Sequence, residues 1–146
     1  MKIIYALTAG LAGAIVLTLA HQALKKLSDD APRMDLLGEE ALQKTAHKTG
    51  IDIPKEKSYG ITLAGDIVAN SLYYALAAIG GPKNALLRSG VLGLAAGAGG
   101  VLLPKPIGLT NAYSNRKLST RLMTMAIYSL GSLVTGKLVK ALDRKR

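Results

Sequence analysis

Polar side chains interrupt an otherwise apolar run over residues 60–79, and four of them are the residues best suited to chemistry in this sequence. They are Asp66, Asn70, Tyr73 and Tyr74. Asp66, Asn70 and Tyr73 recur at helical spacing, so they share one face of a helix. Such a face could line a polar cavity for an ion, a proton or a small solute. Alternatively, Asn70 and the tyrosines only donate hydrogen bonds to carbonyls of a neighbouring helix.

Asp66 needs compensation if this run crosses a membrane. An ionised carboxylate inside a spanning helix costs about 2.5–3.5 kcal/mol on insertion scales. Arg88 is the obvious partner in the next run, but a hairpin places it roughly 13 Å along the helix axis from the level of Asp66. We therefore expect Asp66 to be protonated, hydrated, or paired with another helix or subunit.

A series of glycines marks one face of the next apolar run, residues 84–103. These helix-packing glycines are Gly90, Gly93, Gly97 and Gly100. The intervening Gly80-Gly81-Pro82 predicts a tight turn, so the two runs read as an antiparallel hairpin. In that hairpin Asp66 would face Gly97. We expect the polar face to meet the glycine face, where the glycines either allow close helix packing or leave space for a cavity.

The elements that would position these residues are membrane-spanning helices. Hydrophobic residues make up 49% of the 146-residue chain, which contains neither Trp nor Phe. Four apolar runs are long enough to cross, or nearly cross, a hydrocarbon core of about 30 Å. They cover residues 3–20, 60–79, 84–103 and 122–139. The sequence predicts an all-α transmembrane helical bundle of about four spans in one domain, 1–146.

The first run, residues 3–20, has a second interpretation. A basic residue, an apolar stretch and small residues near its end also fit a secretory signal with a cleavage site. We expect it to be retained as a spanning helix, with Ala6, Gly10, Gly13 and Ala14 as a small-residue face for neighbouring helices.

Two polar segments separate the spans. Between the first and second spans, residues 30–50 predict an amphipathic, extramembrane helix with Met34, Leu37 and Ala41 on one side. It could rest on lipid headgroups or on the bundle, or dock another protein. The polar connector, 104–121, carries basic residues that could contact anionic lipid headgroups or simply form surface charge. These are Lys105, Arg116, Lys117 and Arg121.

Several functional classes find no support in the sequence. The formal net charge is +10, but the basic residues mostly flank apolar runs, which is typical of membrane boundaries and not of a nucleic-acid partner. Cysteine is absent, and His21 and His47 lack companions at metal-ligand spacing, so we predict no metal and no cofactor. No catalytic motif appears. Basic residues in the loops and at the C-terminus give opposing indications of orientation.

Three stretches of this sequence resemble small multi-span bacterial integral membrane proteins that have no assigned activity. They are residues 30–38, residues 64–66 with 70–74, and residues 103–106. The resemblance implies a multi-pass protein of the bacterial inner membrane. It implies no catalytic or ligand-binding residues.

Three functional hypotheses follow. The first is a structural or accessory subunit whose partners are the lipid bilayer and either further copies of itself or a larger membrane complex. The second is a small channel or carrier for an ion, a proton or a small solute that uses Asp66 and Asn70. The third, a lipid-acting enzyme, would need a water-exposed nucleophile or a metal that the sequence does not offer, so we lean against an enzyme.

Overall fold

The computed structural model describes residues 3–144 and is all-helical over that range. Its α-helices are α1 (Ile3–Leu27), α2 (Met34–Lys48), α3 (Lys55–Ala75), α4 (Ala85–Leu102), α5 (Ala112–Asn115) and α6 (Leu118–Arg144). A 3₁₀ turn, Leu76–Ala78, extends α3. The predicted all-α fold is confirmed.

Four of these helices are long and apolar enough to cross a membrane: α1, α3 with its 3₁₀ extension, α4 and α6. They correspond to the four predicted runs, but three of them are longer than predicted. The first continues to Leu27 through Lys25 and Lys26, and the last reaches from Leu118 to Arg144. The apolar runs mark only the hydrocarbon-buried part of each helix, because long basic side chains let a helix continue into the interface.

The bundle is built around α1 and α6, with α3 packed on α1 and α4 packed on α6. Glycine permits the closest approach between the central pair. A Cβ added to Gly131 would lie only 2.7 Å from the carbonyl oxygen of Gly13. The buried Tyr74 fills the space beside this contact, against Leu17 and Ile127. Small residues therefore bring the helices together, as is common where lipid replaces water as solvent.

The predicted register between α3 and α4 is wrong. Three of the four predicted glycines pack on α6. A Cβ on Gly93 would lie 2.7 Å from the Ser129 Cα, one on Gly97 would lie 2.8 Å from the Met125 Cα, and one on Gly100 would lie 3.4 Å from the methyl carbon of Thr124. Gly90, the fourth predicted helix-packing glycine, has open space where its Cβ would lie. The turn between α3 and α4 instead lets the two helices separate, with positive φ angles of 81° and 83° at its two glycines. The three packed glycines of α4 therefore lie against α6 and not against α3, the helix that precedes α4 in the sequence.

Helix directions place the connections on two sides of the bundle. The start of α1, the end of α6 and the turn at 79–84 lie together on what we call the terminal side. The opposite side carries α2, the loop 28–33 before it and residues 103–117, which together we call the cap. The backbone N–H of Arg33 donates to the Tyr113 carbonyl at 2.8 Å, and Lys44 Nζ donates to the Gly108 carbonyl at 2.6 Å. These bonds join the two halves of the cap across the end of the bundle.

The amphipathic helix α2 rests on the bundle. Its Leu37 and Ala46 are buried, and its Gly38 sits directly over α3. A Cβ at Gly38 would lie 2.5 Å from the methyl carbon of Thr62, so a side chain there would separate the two helices. This close contact brings the start of α2 over the polar face of α3.

Candidate intramembrane polar site

A small cavity of about 40 Å³ lies where α1, α2, α3 and α6 meet beneath the cap. Its lining is unusually polar for the inside of a membrane bundle. The polar residues contributed by the first three of these helices are Thr18, His21, Asp35, Tyr59, Thr62, Asp66 and Asn70. A polar cavity around Asp66 and Asn70 was one of the two predicted alternatives, but its other walls come from α1, α2 and α6 and not from the glycine face of α4.

Asp66 is half-buried at this cavity and stands without a protein partner. Among residues 3–144, its carboxylate takes part in no hydrogen bond or ion pair. Gly38 of α2 lies over this carboxylate: a Cβ added to Gly38 would be 3.4 Å from a carboxylate oxygen of Asp66. Arg88 lies at the turn, and its guanidinium donates to the carbonyls of Ala77 and Gly81. Arg88 therefore holds the turn together and does not neutralise Asp66, as its sequence position predicted.

The other three predicted polar residues have more ordinary contacts. Asn70 lines the cavity and donates from Nδ2 to the backbone carbonyl of Asp66 at 2.9 Å. Tyr73 donates to the Leu92 carbonyl of α4 at 2.9 Å, and Tyr74 donates to the Tyr128 carbonyl of α6 at 2.8 Å. The tyrosines thus connect helices by donating hydrogen bonds to carbonyls of neighbouring helices, which was the predicted alternative to a cavity-lining role.

Thr62 is a site residue that the sequence analysis missed. Its side chain lines the cavity one helical turn before Asp66, and only 7% of the residue is exposed. Its hydroxyl oxygen is buried and has no hydrogen-bond partner among the described residues. A buried hydroxyl usually finds a partner, since leaving one unpaired costs about 1–3 kcal/mol. The spacing of 62, 66 and 70 along one helical face could have revealed it.

A charged cluster closes the cavity on the cap side. Asp35 accepts hydrogen bonds from Lys25 Nζ at 2.9 Å and from Arg33 Nε at 3.1 Å and Nη2 at 2.9 Å. Burial alone would raise the pKa of Asp35, but the hydrogen bonds from Arg33 and Lys25 outweigh burial and hold that pKa well below its usual range. His21 Nε2 lies 3.9 Å from the same carboxylate and 2.9 Å from the Pro32 carbonyl. Since a carbonyl can only accept, Nε2 carries a hydrogen.

No sequence pattern joined His21 to Asp35. They lie 14 residues apart, on two helices separated by a loop, and meet only because α2 folds back over the end of α1. Their contact depends on the chain path between the helices, which residue spacing along a single helix does not encode.

A second cluster holds the cap to the start of α6. Asp30 accepts hydrogen bonds from Lys117 at 2.8 Å and Ser119 at 2.9 Å, and the hydrogen bond from Lys117 is the main reason that the pKa of Asp30 is lowered. Arg116 donates to the Asp29 carbonyl at 2.6 Å. Two of the four predicted lipid-headgroup contacts therefore already have partners within the chain.

The other two predicted headgroup contacts, Lys105 and Arg121, are exposed. Both lie at the cap side of the bundle, next to the ends of α4 and α6. Contact with anionic lipid stays a prediction for these two side chains.

A larger, laterally open groove separates α3 from α4. It has a volume of about 580 Å³ and is mostly apolar. Its walls carry small residues: Ala69 on α3, and Ala95, Ala96, Gly99 and Gly100 on α4. Tyr73 closes it toward the turn, and the cap residues Leu37 and Ile107 bound it at the other end. Asn70 lines both this groove and the cavity at Asp66.

Among residues 3–144, no group of three or more His, Asp or Glu side chains is arranged to hold a metal ion. The fold defines a class: an all-α bundle with four helices able to cross a membrane and a polar cavity beneath an extramembrane cap. No protein-family model, curated protein or solved structure matches the chain.

Proposed function

We propose that this protein is a structural or accessory subunit of a membrane assembly, and that a helix of a partner membrane protein occupies the groove between α3 and α4. The groove is the observation that supports this proposal. The resemblance to small multi-span bacterial proteins favours the bacterial inner membrane as the location of the assembly.

The small residues of the groove fit a partner helix better than they fit lipid. In a bilayer, leucine side chains gain little by leaving lipid, so helices associate where small residues let backbones come close. Ala95, Ala96 and Gly99 provide such a surface on α4, opposite Ala69 on α3. Bulky exposed side chains border it, with Val68 and Leu94 respectively 59% and 56% exposed. A helix seated there would contact α3 and α4 together and complete the packing that α3 and α4 do not give each other.

Single-cysteine crosslinking tests this role directly, because the chain contains no cysteine. Ala95→Cys places a thiol in the groove, and Ala126→Cys places one on the exposed face of α6 as a matched control. In native membranes, a benzophenone attached to the thiol and activated by light, which reacts with nearby C–H bonds, should convert the groove variant, but not the control, into one discrete higher-mass product. Equal crosslinking of both variants, or of neither, would refute the groove as a partner site.

The cavity at Asp66 favours a second candidate function, a small carrier or channel for an ion, a proton or a small solute. An unpaired carboxylate inside a spanning segment is characteristic of ion and proton pathways. Reconstituted liposomes give the test: the unmodified protein should show a cation-dependent or pH-dependent flux that Asp66→Asn abolishes. An assembled, correctly inserted protein without any flux would reject this second candidate.

A further inference from the structure

We propose that the cavity at Asp66 is a binding site for one small monovalent cation of about the size of sodium, held chiefly by the Asp66 carboxylate and the Thr62 hydroxyl. The proposal goes beyond a role as an accessory subunit. It does not require that the cation cross the membrane.

The charge at Asp66 is the first argument. Asp35, the other carboxylate at this cavity, pairs with both Lys25 and Arg33 at hydrogen-bond distance, and this cluster keeps its one excess positive charge outside ion-pair distance of Asp66. No basic side chain among the described residues lies within ion-pair distance of Asp66. Inside a bundle an ionised, half-buried Asp66 is destabilising unless a counter-ion pairs with it. A bound cation supplies the missing positive charge.

The unpaired oxygen of Thr62 is the second, independent argument. It is buried and has no hydrogen-bond partner among the described residues, and Thr62 lines the same cavity one turn from Asp66 on the same face of α3. Asn70 engages its Nδ2 with the Asp66 carbonyl, which leaves its side-chain oxygen available as a further ligand. Carboxylate, hydroxyl and amide oxygens are the ligands of hard cations.

The size of the cavity restricts the ligand. A cavity needs roughly 10–15 Å³ of water-accessible volume for each water that it holds, and this one has about 40 Å³. A sodium-sized ion with about two waters fits, whereas a drug-sized solute, which needs a pocket of about 300–1,000 Å³, does not. A single unpaired carboxylate also balances one positive charge, so a divalent ion would remain under-ligated and in charge excess.

The groups around Asp66 leave this charge balance intact. His21 faces the cavity from α1, Asp35 from α2, Tyr59 from α3 and Tyr128 from α6. Asp35 is already paired with two basic groups, and the hydroxyl of Tyr59 accepts a hydrogen bond from Gln22 at 2.9 Å. None of these four groups supplies a fixed positive charge in contact with Asp66, since the described residues hold no ion pair to it.

The test is the thermal stability of the full chain in detergent at pH 8, in sodium chloride against N-methylglucamine chloride of equal concentration. A specifically bound ion at one hundred times its dissociation constant should raise the melting temperature by about 5–10 °C. Asp66→Asn should remove the sodium-specific rise. Asp52→Asn, the same change at an exposed acidic residue, should keep it.

Thr62→Val is the second variant, because it removes the hydroxyl without changing the volume or the charge. This variant tests the site even if Asp66→Asn does not fold. A smaller sodium-specific rise in melting temperature supports the site, and an unchanged rise overturns it. An equal effect of both salts on the unmodified protein would also overturn the proposal. So would a melting temperature that responds to pH through Asp66 but not to sodium, since the ligand would then be a proton.

Discussion

The substitution Asp35→Asn should loosen the cap while leaving the spanning helices in place. The Asp35 side chain is 9% exposed and accepts three hydrogen bonds from Lys25 and Arg33. Asparagine keeps the shape but removes the charge and one acceptor. Lys25 and Arg33 would then keep their positive charges without a carboxylate between them.

The expected cost follows from these contacts. A hydrogen bond to a charged group contributes about 1.5–3 kcal/mol, and Arg33 belongs at the low end because its side chain is 44% exposed. We therefore expect cap opening to become easier by about 1.5–3 kcal/mol in total. Since 1.4 kcal/mol is a factor of ten, the open population should rise about 10- to 150-fold.

Thiol labelling measures that population. Leu37 is 7% exposed and belongs to α2, and the chain has no other thiol, so Leu37→Cys reports cap opening alone. Under conditions where closing is faster than labelling, the labelling rate tracks the open population. Adding Asp35→Asn should accelerate labelling at least tenfold, and adding Asp52→Asn should not. A rate within twofold of the parent would refute the assignment of Asp35 as the residue that holds the cap.

Three further outcomes are expected. Gly93→Ala should lower the unfolding free energy in detergent by about 1–3 kcal/mol, because the new Cβ would meet Ser129. Gly90→Ala is the control: its Cβ would enter open space, so the change should be neutral or stabilising by up to about 1 kcal/mol. Thermal unfolding of both variants checks this pair. Tyr74→Phe should cost about 1 kcal/mol in the same assay, since it removes the hydrogen bond to the Tyr128 carbonyl. The low pKa of Asp35 stabilises the cap above the unfolded pKa of about 4 and loses that contribution as pH falls toward the folded value. Hydrogen exchange of α2, corrected for intrinsic rates, should therefore stay constant from pH 7 to 5 and rise below pH 4.

Hydropathy predicted the spanning helices because in lipid the apolar stretch is a direct requirement of each span. It did not predict their ends. Lys25 and Lys26 belong to the last turn of α1, and Leu118 begins α6 before its apolar stretch. These turns lie in the interface, where the backbone stays helical without needing an apolar side chain at every position.

The neighbours of each helix were harder to predict. Proximity in sequence indicated that the glycines of α4 would meet α3, yet Gly93 packs on α6. Small residues occur on α1, α4 and α6 alike, so a small-residue face shows that a helix packs closely but does not identify its partner. The residues of the candidate site likewise fall into those that the sequence predicted and those that it did not. Asp66 and Asn70 follow from helical spacing, whereas His21 and Asp35 reach the cavity through the fold of the loop between α1 and α2.

With four helices crossing a membrane, the cap lies on one side of the bilayer and the turn at 79–84 on the other. Single cysteines at Asp52, which lies between α2 and α3, and at Lys83, which lies in the turn, are both exposed and measure this arrangement directly. A membrane-impermeant maleimide added to sealed vesicles reaches only their outer face. In vesicles of one orientation it should label only one of the two variants, and in vesicles of the opposite orientation it should label only the other. Labelling of both from the same face, or release of the chain from the vesicles by an alkaline carbonate wash, would contradict the account.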